Sequence, residues 1–393
     1  MNGSHKESTL ALPSGPILRV AIVALLSLAA ITVVVHLSST SARNDFTQDY
    51  VAARALVHGG EPYAPTEELV HRYMGRRADF YSGVSGQRDP HPPPLILLLA
   101  PLSFLPYSAA WIIWKILIVA GFAGSLAAIG RRLGFTVRDA ALVGAGALVI
   151  PSAQQELIYG GTTVVVLVLL TLAWLSLDRE RETGPGVLTG VATALKLFPG
   201  LLLFWFVRQG RKRAAIALVL VAVVLIGFSL LFFGIHGARA FATSAHDDFL
   251  RYRSSPINMS LPSLAFRVAH GAPAEAAAIV IGLAGLLVAI KSRGDLLGPF
   301  WSVVPWMILL APLAWYASLM IPVVFVATVT LSREGRLRVW HLVLFAAASF
   351  GTVASAGPQA TGAGTVALDL IPTIAVAAIA LLDARPLVEK VPT

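Results

Sequence analysis

Long uncharged apolar segments recur along this chain from residue 17 to residue 382. Many of them have the roughly 17 to 25 residues that a helix needs to cross the hydrocarbon core of a bilayer. Inside hydrocarbon, only helices and closed barrels satisfy every backbone hydrogen bond. With 56% hydrophobic side chains and only 13% charged ones, the chain is also more apolar than soluble domains are. We therefore expect a multi-pass helical membrane protein.

The segments predict one all-α integral membrane domain over residues 1–393, with about twelve crossings. The first crossing is predicted at 17–37 as a retained helix, because this apolar run is longer than the core of a secretory signal. Residues 93–382 are predicted to form the remaining bundle. Several segments are too short to cross alone, and we expect broken or re-entrant helices there. They are Pro93 to Leu105, Ala140 to Ile150, and the pair Val187 to Leu195 and Phe198 to Val207, which Lys196 and Pro199 separate.

The formal net charge of +9 comes from Lys and Arg residues that cluster in short loops between apolar segments. The positive-inside rule assigns such loops, and with them both termini, to the cytoplasm. The polar stretch 38–92 is then predicted on the outer face, and a nucleic-acid partner is not needed to explain the charge. The chain has no cysteine, which excludes disulfides and thiolate chemistry.

Two short helices are predicted within the stretch 38–92. Gln48 to His58 has apolar residues on one side, which is typical of an amphipathic helix that lies in the membrane interface. Thr66 to Arg76 follows Pro65, with acids in its first turn and basic residues at its end.

Two acids stand at the start of this stretch. Asp45 follows the first apolar segment closely, and partial desolvation there would raise the pKa of its carboxyl group toward the value that a general base needs. Asp49, one helical turn later, would share a face with Asp45 and is a possible second acid. An N-cap role for Asp45 remains the alternative.

Two cations are candidates for binding a phosphate. Lys196 stands between apolar residues and away from the basic loops, so that it either serves a function or extends its amine to the membrane surface. His91, at the end of the polar stretch, suits either a phosphate contact or a simple interfacial position. Gln154 and Gln155 lie in a predicted outer loop, Ser152 to Gly161, where amides suit sugar hydroxyls or plain loop polarity. No glycine-rich phosphate loop, HExxH or GxSxG motif is present, which disfavours a cytoplasmic nucleotide donor.

Together these motifs resemble the type C membrane glycosyltransferases. They are most similar to glycosyltransferase family 87, the polyprenol-phosphate-mannose-dependent mannosyltransferases and related arabinofuranosyltransferases. The motifs are, in chain order, Asp45-Phe46 with Tyr50 and Arg54, Gly59-Gly60 with Pro62-Tyr63, His91 to Pro94, Gln154 to Gly161, Leu195 to Pro199, Asn258-Met259-Ser260 with Arg267, and Pro312 to Trp315.

The resemblance implies the type C fold and an inverting transfer of a sugar from a polyprenyl-phosphate donor to a glycolipid or glycan acceptor at the outer face of the cell membrane. Asp45 would be the base, and Lys196, Arg267 and His91 would contact the donor phosphate. Sugar or acceptor contacts are expected from Tyr50, Arg54, Tyr63, Gln154, Gln155, Asn258, Trp315 and Tyr316, although the aromatic residues also suit interface anchors. A phosphodiester leaving group needs no protonation, so that one essential carboxylate suffices. No cofactor or metal is expected, although Asp45 and Asp49 could in principle hold a divalent cation.

The chain departs from the family pattern after Trp315. It reads Tyr316-Ala317-Ser318 where members often carry one or two histidines, so mannose and a pentose such as arabinofuranose both remain open as the sugar. A lipid or sugar transporter or flippase would also use broken helices and intramembrane charge, and a noncatalytic assembly subunit is a third alternative.

Overall fold

A computed structural model describes residue 31 and residues 45–75, 85–134, 144–145, 147–148, 151–177, 182–255, 258–269, 271–291 and 297–322. This part of the chain is helical and contains no β-strand; an isolated bridge pairs Asn258 with Trp315. The predicted all-α fold is confirmed over these ranges. The predicted first crossing at 17–37 lies outside the described residues except for residue 31, and most of the segment Ala140 to Ile150 lies outside them as well. Everything after residue 322 lies outside them.

The described part folds into twelve α-helices and two short 3₁₀ turns. In chain order they are α1 (Asp45–Val57), α2 (Thr66–Met74), α3 (Pro93–Ser103), α4 (Tyr107–Arg132), α5 (Pro151–Tyr159), α6 (Thr163–Leu175), α7 (Gly184–Leu195), the 3₁₀ turn Phe198–Leu201, α8 (Leu202–Arg208), α9 (Lys212–Tyr252), α10 (Leu261–Ala269), α11 (Ala272–Lys291), α12 (Leu297–Leu309) and the 3₁₀ turn Tyr316–Leu319.

Three helices of the described ranges, α4, α9 and α11, are long and apolar enough to cross a membrane. The chain is therefore a membrane protein, while twelve crossings stay a prediction. α9 has 41 residues, and Gly234 interrupts its helical dihedrals with a φ of 61° and a ψ of −177°. The apolar half before Gly234 is thereby separated from the more polar half after it.

The predicted break at Lys196 is confirmed. α7 ends at Leu195, and Lys196 is extended, with a φ of −144° and a ψ of 123°. Pro199 has no N–H to donate to the carbonyl oxygen of Leu195, four residues earlier, and its ring would clash with that carbonyl, which explains why the helix does not simply continue. α7 packs closely against α9, because a Cβ at Gly190 would lie 2.7 Å from the carbonyl oxygen of Leu218. This contact holds the end of α7, and with it Lys196, beside α9.

α1 is buried along most of its length, which corrects the prediction of an amphipathic interfacial helix. The polar residues Thr47, Gln48 and Asp49 are as buried as their apolar neighbours. α1 packs against both α2 and α3, so its polar side also faces protein. The helix is therefore an internal element that presents polar groups to a protein environment.

The N-terminal end of α1 is fixed by aromatic packing. The ring of Phe46 lies between the rings of Tyr107, Trp111 and Trp114, at centroid distances of 6.1, 5.4 and 5.9 Å. Such a ring cluster contributes both buried area and preferred ring geometry. Because Phe46 follows Asp45 directly, the cluster also fixes the position of Asp45.

α2 follows its prediction closely. It begins at Thr66 as expected and ends at Met74, two residues before the predicted end. Gly75 adopts a left-handed conformation with a φ of 62°, which ends the helix there.

Candidate active site

Asp45 is the first residue of α1, where the helix dipole favours a negative charge. Its side chain is exposed, yet the protein around it desolvates the carboxyl group. This desolvation, which the positive charges of His91 and Lys196 oppose, raises the pKa of Asp45 to about 6. The carboxyl group is therefore both reached by solvent and desolvated by the protein around it. With a pKa near neutrality it is suited to take a proton from a hydroxyl group.

Asp49, one turn after Asp45, belongs to a triad with His91 and Asp89. Nδ1 of His91 lies 2.7 Å from Oδ1 of Asp49 and 3.2 Å from Oδ1 of Asp89. Burial raises the pKa of Asp49, against the charge of His91. Burial alone would lower the pKa of His91, but the two carboxylates more than offset it and hold that pKa well above its ordinary value. His91 is therefore a cation at neutral pH, oriented by two acids.

The segment 87–91, which carries Asp89 and His91, is held by neighbouring helices and turns. The hydrogen bonds run from Gln48 Nε2 to Arg88 O (2.6 Å), from Thr66 N to Gln87 O (2.8 Å), from Ser244 Oγ to Asp89 O (2.7 Å) and from Tyr63 Oη to His91 O (2.9 Å). Donors from α1, α2, α9 and the turn after α1 thus fix the triad. Asp89 is a site residue that sequence reasoning missed, because only the fold brings it to Asp49.

The triad also offers the ligand atoms that a divalent cation would use. One such atom from each of Asp49, Asp89 and His91 lies within 4.8 Å of the other two. Two carboxylates with one imidazole suit metals such as Zn²⁺ or Mn²⁺. Oδ2 of Asp49 and Oδ2 of Asp89 are buried without a hydrogen-bond partner among the described residues. A proton on Nδ1 of His91 accounts for the 2.7 Å contact with Asp49 equally well.

A cavity of about 370 Å³ adjoins His91 and Lys196, and we call it the Lys196 cavity. Most of its other walls are apolar, with Phe198, Phe241 and Leu310 among them. Nζ of Lys196 donates a hydrogen bond to Oγ1 of Thr163 at 3.2 Å, which fixes the amine at the start of α6. Two cations in an apolar wall suit an anionic group that is attached to hydrocarbon.

Glu156 is a second residue that sequence reasoning did not assign to the site. The predicted loop Ser152 to Gly161 contains the helix α5, and Glu156 is buried on it. Its Oε1 accepts a hydrogen bond from the backbone N–H of Val164 at 3.0 Å, at the start of α6. Burial raises the pKa of Glu156, against the charge of Lys196. Glu156 therefore stabilises the helix start that carries Thr163, the partner of Lys196.

Tyr50 and Arg54 hold the connection between α3 and α4 in this structure. Tyr50 Oη donates to the carbonyl oxygen of Leu105 at 2.7 Å, and Arg54 Nη1 donates to that of Ser103 at 2.7 Å. Neither lines the Lys196 cavity. The structure therefore gives both residues a scaffold role, and their predicted sugar contacts stay predictions.

Asn258 is fully enclosed, with 0% of its surface exposed. Its Nδ2 donates to the carbonyl oxygens of Tyr252 and Pro312, and its Oδ1 accepts from the backbone N–H groups of Ser260 and Ala314. A side chain whose two ends are occupied in this way cross-links chain segments, and its predicted sugar contact stays a prediction. Arg267 Nη2 lies 3.4 Å from the carbonyl oxygen of Asn258, and Arg267 does not line the Lys196 cavity with Lys196 and His91.

The remaining predicted residues fall into two places. Trp315 lines the Lys196 cavity, and the neighbouring Tyr316 is buried. Gln154 and Gln155 lie on α5, which packs against the 3₁₀ turn Tyr316–Leu319. Tyr63 lines a different cavity of about 690 Å³, between the turn after α1 and α9, which we call the Tyr63 cavity.

The helices and the site define a membrane-embedded protein with an acid at a helix start and a cationic, largely apolar cavity near it. Residues 90–298, more than half of the chain, match glycosyltransferase family 87. The chain therefore belongs to glycosyltransferase family 87, as its motifs predicted. The matched range includes His91, Glu156 and Lys196, whereas Asp45 and Asp49 precede it.

The chain is also similar to a curated protein of Mycobacterium tuberculosis (strain CDC 1551 / Oshkosh). That protein is named a polyprenol-phosphate-mannose-dependent alpha-(1-2)-phosphatidylinositol pentamannoside mannosyltransferase, and the two chains are 28% identical over 237 residues. The match covers 57% of this chain and 54% of the relative. The chain therefore matches about half of the length of this relative.

Proposed function

We propose that this protein transfers a sugar from a polyprenyl-phosphate donor to a glycolipid or glycan acceptor at the outer face of the cell membrane. The observation that carries the proposal is the reachable, desolvated carboxyl group of Asp45, with Lys196 and His91 close enough to act on its charge. Membership of the family supports glycosyl transfer. Mannose is the first candidate for the sugar because the relative's name specifies it, and a pentose such as arabinofuranose is the alternative.

In the proposed reaction, a hydroxyl oxygen of the acceptor attacks the anomeric carbon of the donor sugar. The bond from that carbon to the phosphate oxygen breaks, polyprenyl phosphate leaves, and the carboxylate of Asp45 takes the hydroxyl proton. A phosphate leaving group needs no acid, so that one carboxylate suffices where most glycosidases need two. The displacement happens in one step and inverts the anomeric carbon.

Lys196 and His91 would compensate the charge that develops on the departing phosphate. In a poorly hydrated site, positioned cations stabilise such charge much more strongly than they do in water. Asp49 and Asp89 contribute indirectly, since they keep the ring of His91 oriented and protonated. The apolar walls of the Lys196 cavity suit the start of the polyprenyl chain.

The direct test uses the purified protein in lipid nanodiscs. It is offered polyprenyl phosphates that carry mannose, arabinofuranose or glucose, each with and without a panel of glycolipid acceptors, and free polyprenyl phosphate is measured. We expect release from one donor, and only when a suitable acceptor is present. Intact donor that instead crosses the bilayer of a reconstituted vesicle, with no release, would support a flippase.

The pH dependence of kcat/KM follows from Asp45 and His91. Below about pH 6, the carboxyl group of Asp45, whose pKa is raised to about 6, is protonated and cannot accept a proton. The rate is therefore expected to rise with pH up to about 6 and then to level. It should fall again in the alkaline range, where His91, whose pKa is raised, finally loses its charge.

Asp49→Asn tests the alkaline limb of this profile. The variant removes a carboxylate that favours the charged ring of His91, so the alkaline limb is expected to move to lower pH. Asp247→Asn, an exposed change on α9, is the matched control and should leave the profile unchanged. An identical alkaline limb in both variants would contradict the role of Asp49.

We further propose that the reaction needs no metal ion. After extensive treatment with EDTA, the rate is expected to stay within about twofold of the untreated protein, because protein cations supply the charge that a bound metal would otherwise provide. A loss that Mn²⁺, Mg²⁺ or Zn²⁺ restores would contradict this and would assign a metal to Asp49, Asp89 and His91.

A further inference from the structure

The Tyr63 cavity differs in chemistry from the Lys196 cavity. It lies between the turn that follows α1 and the part of α9 around and after Gly234. The rings of Tyr63 and Phe233 form part of its wall, with their centroids 5.9 Å apart and their planes at 46°. Charged side chains share the wall with these rings. The rings of Tyr63 and Phe233 are themselves buried, whereas Phe232, a further residue of the wall, is 55% exposed. The cavity therefore offers an exposed ring and hydrogen-bonding groups to one ligand.

The charges in the Tyr63 cavity nearly balance. Arg88 and Arg239 contribute two fixed positive charges, and Glu61 and Glu68 contribute two negative ones. His236 Nε2 lies 3.8 Å from a carboxylate oxygen of Glu61. Balanced charge does not favour an anionic headgroup. Guanidinium and carboxylate groups instead bind neighbouring hydroxyls, while ring faces cover the C–H surface of a sugar, so a neutral carbohydrate fits this wall.

The second half of α9 separates the two cavities. Ala240 faces the Tyr63 cavity, whereas Phe241 and Ala245 face the Lys196 cavity. Ala245 is five residues after Ala240, which places it about 140° further around the helix. The two cavities therefore open on different sides of one helix. They meet at Tyr63, which lines one of them and donates its hydroxyl proton to the carbonyl oxygen of His91, which lines the other, at 2.9 Å.

The length of α1 gives the distance between the Tyr63 cavity and Asp45. Asp45 is the first residue of α1, and Leu56, near its last residue, lines the Tyr63 cavity. At the rise of an α-helix the two positions are roughly 16 Å apart. A single sugar cannot reach both positions, whereas a chain of several sugars can.

We propose that the Tyr63 cavity binds the sugars of a neutral acceptor oligosaccharide that precede the reacting one. The protein then extends glycans that are already elongated, and the cavity selects them by length. This inference rests on the proposed function, because it assumes that Asp45 acts on an acceptor hydroxyl. It adds a second site, which binds acceptor and never contacts the donor phosphate.

The test compares acceptors of two lengths. The probes are two lipid-linked acceptors, one with a single sugar and one with four sugars of the same kind. The donor is the one that the nanodisc assay selects. Arg239→Ala and Glu68→Gln alter exposed side chains of the Tyr63 cavity, and Asp247→Asn is the control on α9. For the four-sugar acceptor we expect KM to rise about tenfold in each cavity variant, with kcat unchanged, because hydrogen bonds to charged groups are lost. For the one-sugar acceptor KM should not change.

Two results separate the possible failures. If both acceptor lengths are used equally well and neither cavity variant changes KM, the inference fails while the proposed function stands. If neither the one-sugar nor the four-sugar acceptor leads to release of polyprenyl phosphate, the proposed function itself fails. An equal rise in KM for both lengths would show a general structural effect and would also overturn the length-selecting role.

Discussion

Asp45→Asn is expected to lower kcat by about a thousandfold, within the range that general-base catalysis supplies. The amide keeps the size of the side chain but cannot accept the hydroxyl proton at any accessible pH. Because Asp45 is exposed at the start of α1, the variant should fold and insert normally. The measurement is the rate of polyprenyl-phosphate release under saturating donor and acceptor, together with donor binding.

The control for this result is Asp247→Asn, which removes an exposed carboxylate elsewhere and should retain the full rate. Donor affinity of Asp45→Asn should stay close to that of the unchanged protein, since the base contacts the acceptor rather than the donor phosphate. Full activity in Asp45→Asn would contradict the proposed mechanism. Loss of donor binding along with activity would instead assign Asp45 a role in binding the donor.

Lys196→Met is expected to lower kcat/KM by about a hundredfold to a thousandfold, as the loss of one group that stabilises developing charge typically does. Methionine preserves an unbranched chain at the wall of the Lys196 cavity while it removes the charge. Because Lys196 is also the hydrogen-bond partner of Thr163, the folding of the variant is checked by its thermal unfolding. The measurement is kcat/KM for the donor, with Lys196→Arg as a variant that should recover part of the rate.

Lys291→Met provides the matched control, because Lys291 is exposed at the end of α11 and does not line the cavity. It should behave like the unchanged protein. If Lys196→Met and Lys291→Met give the same rate, Lys196 has no electrostatic role in the reaction and serves only to end α7.

The sequence predicted those features that depend on neighbours along the chain. The break at Lys196 follows from a charge and a proline within an apolar segment, and α2 starts where an acidic first turn follows Pro65. These signals act over a few residues. They can therefore be recognised from the sequence without knowledge of the fold.

Features that depend on distant partners were not predicted correctly. The polar residues of α1 suggested a water-facing side, but α2 and α3 cover it, and Gln48 donates to a carbonyl 40 residues away. The family motif suggested a sugar contact for Asn258, and the sequence did not predict that its side chain cross-links the backbone of residues 252, 312 and 314. A burial pattern of this kind is set by tertiary packing, which periodicity does not encode.

The sequence identified single residues of the candidate site but not the contacts between them. Asp45, Lys196 and His91 were each identifiable as ionisable groups next to apolar sequence. The roles of Asp89 and Glu156 became visible only through contacts with Asp49 and with the start of α6. Both are acids that stand within a few residues of an apolar segment, where an ionisable group is a candidate for function.

The anomeric configuration of the transferred sugar shows whether one carboxylate acts as a base in a single displacement. Donor of defined configuration is converted by the purified protein, and the new glycosidic linkage is assigned by NMR from its anomeric one-bond coupling. We expect inversion in every product. Retention would require a covalent sugar intermediate, and would contradict the role proposed for Asp45.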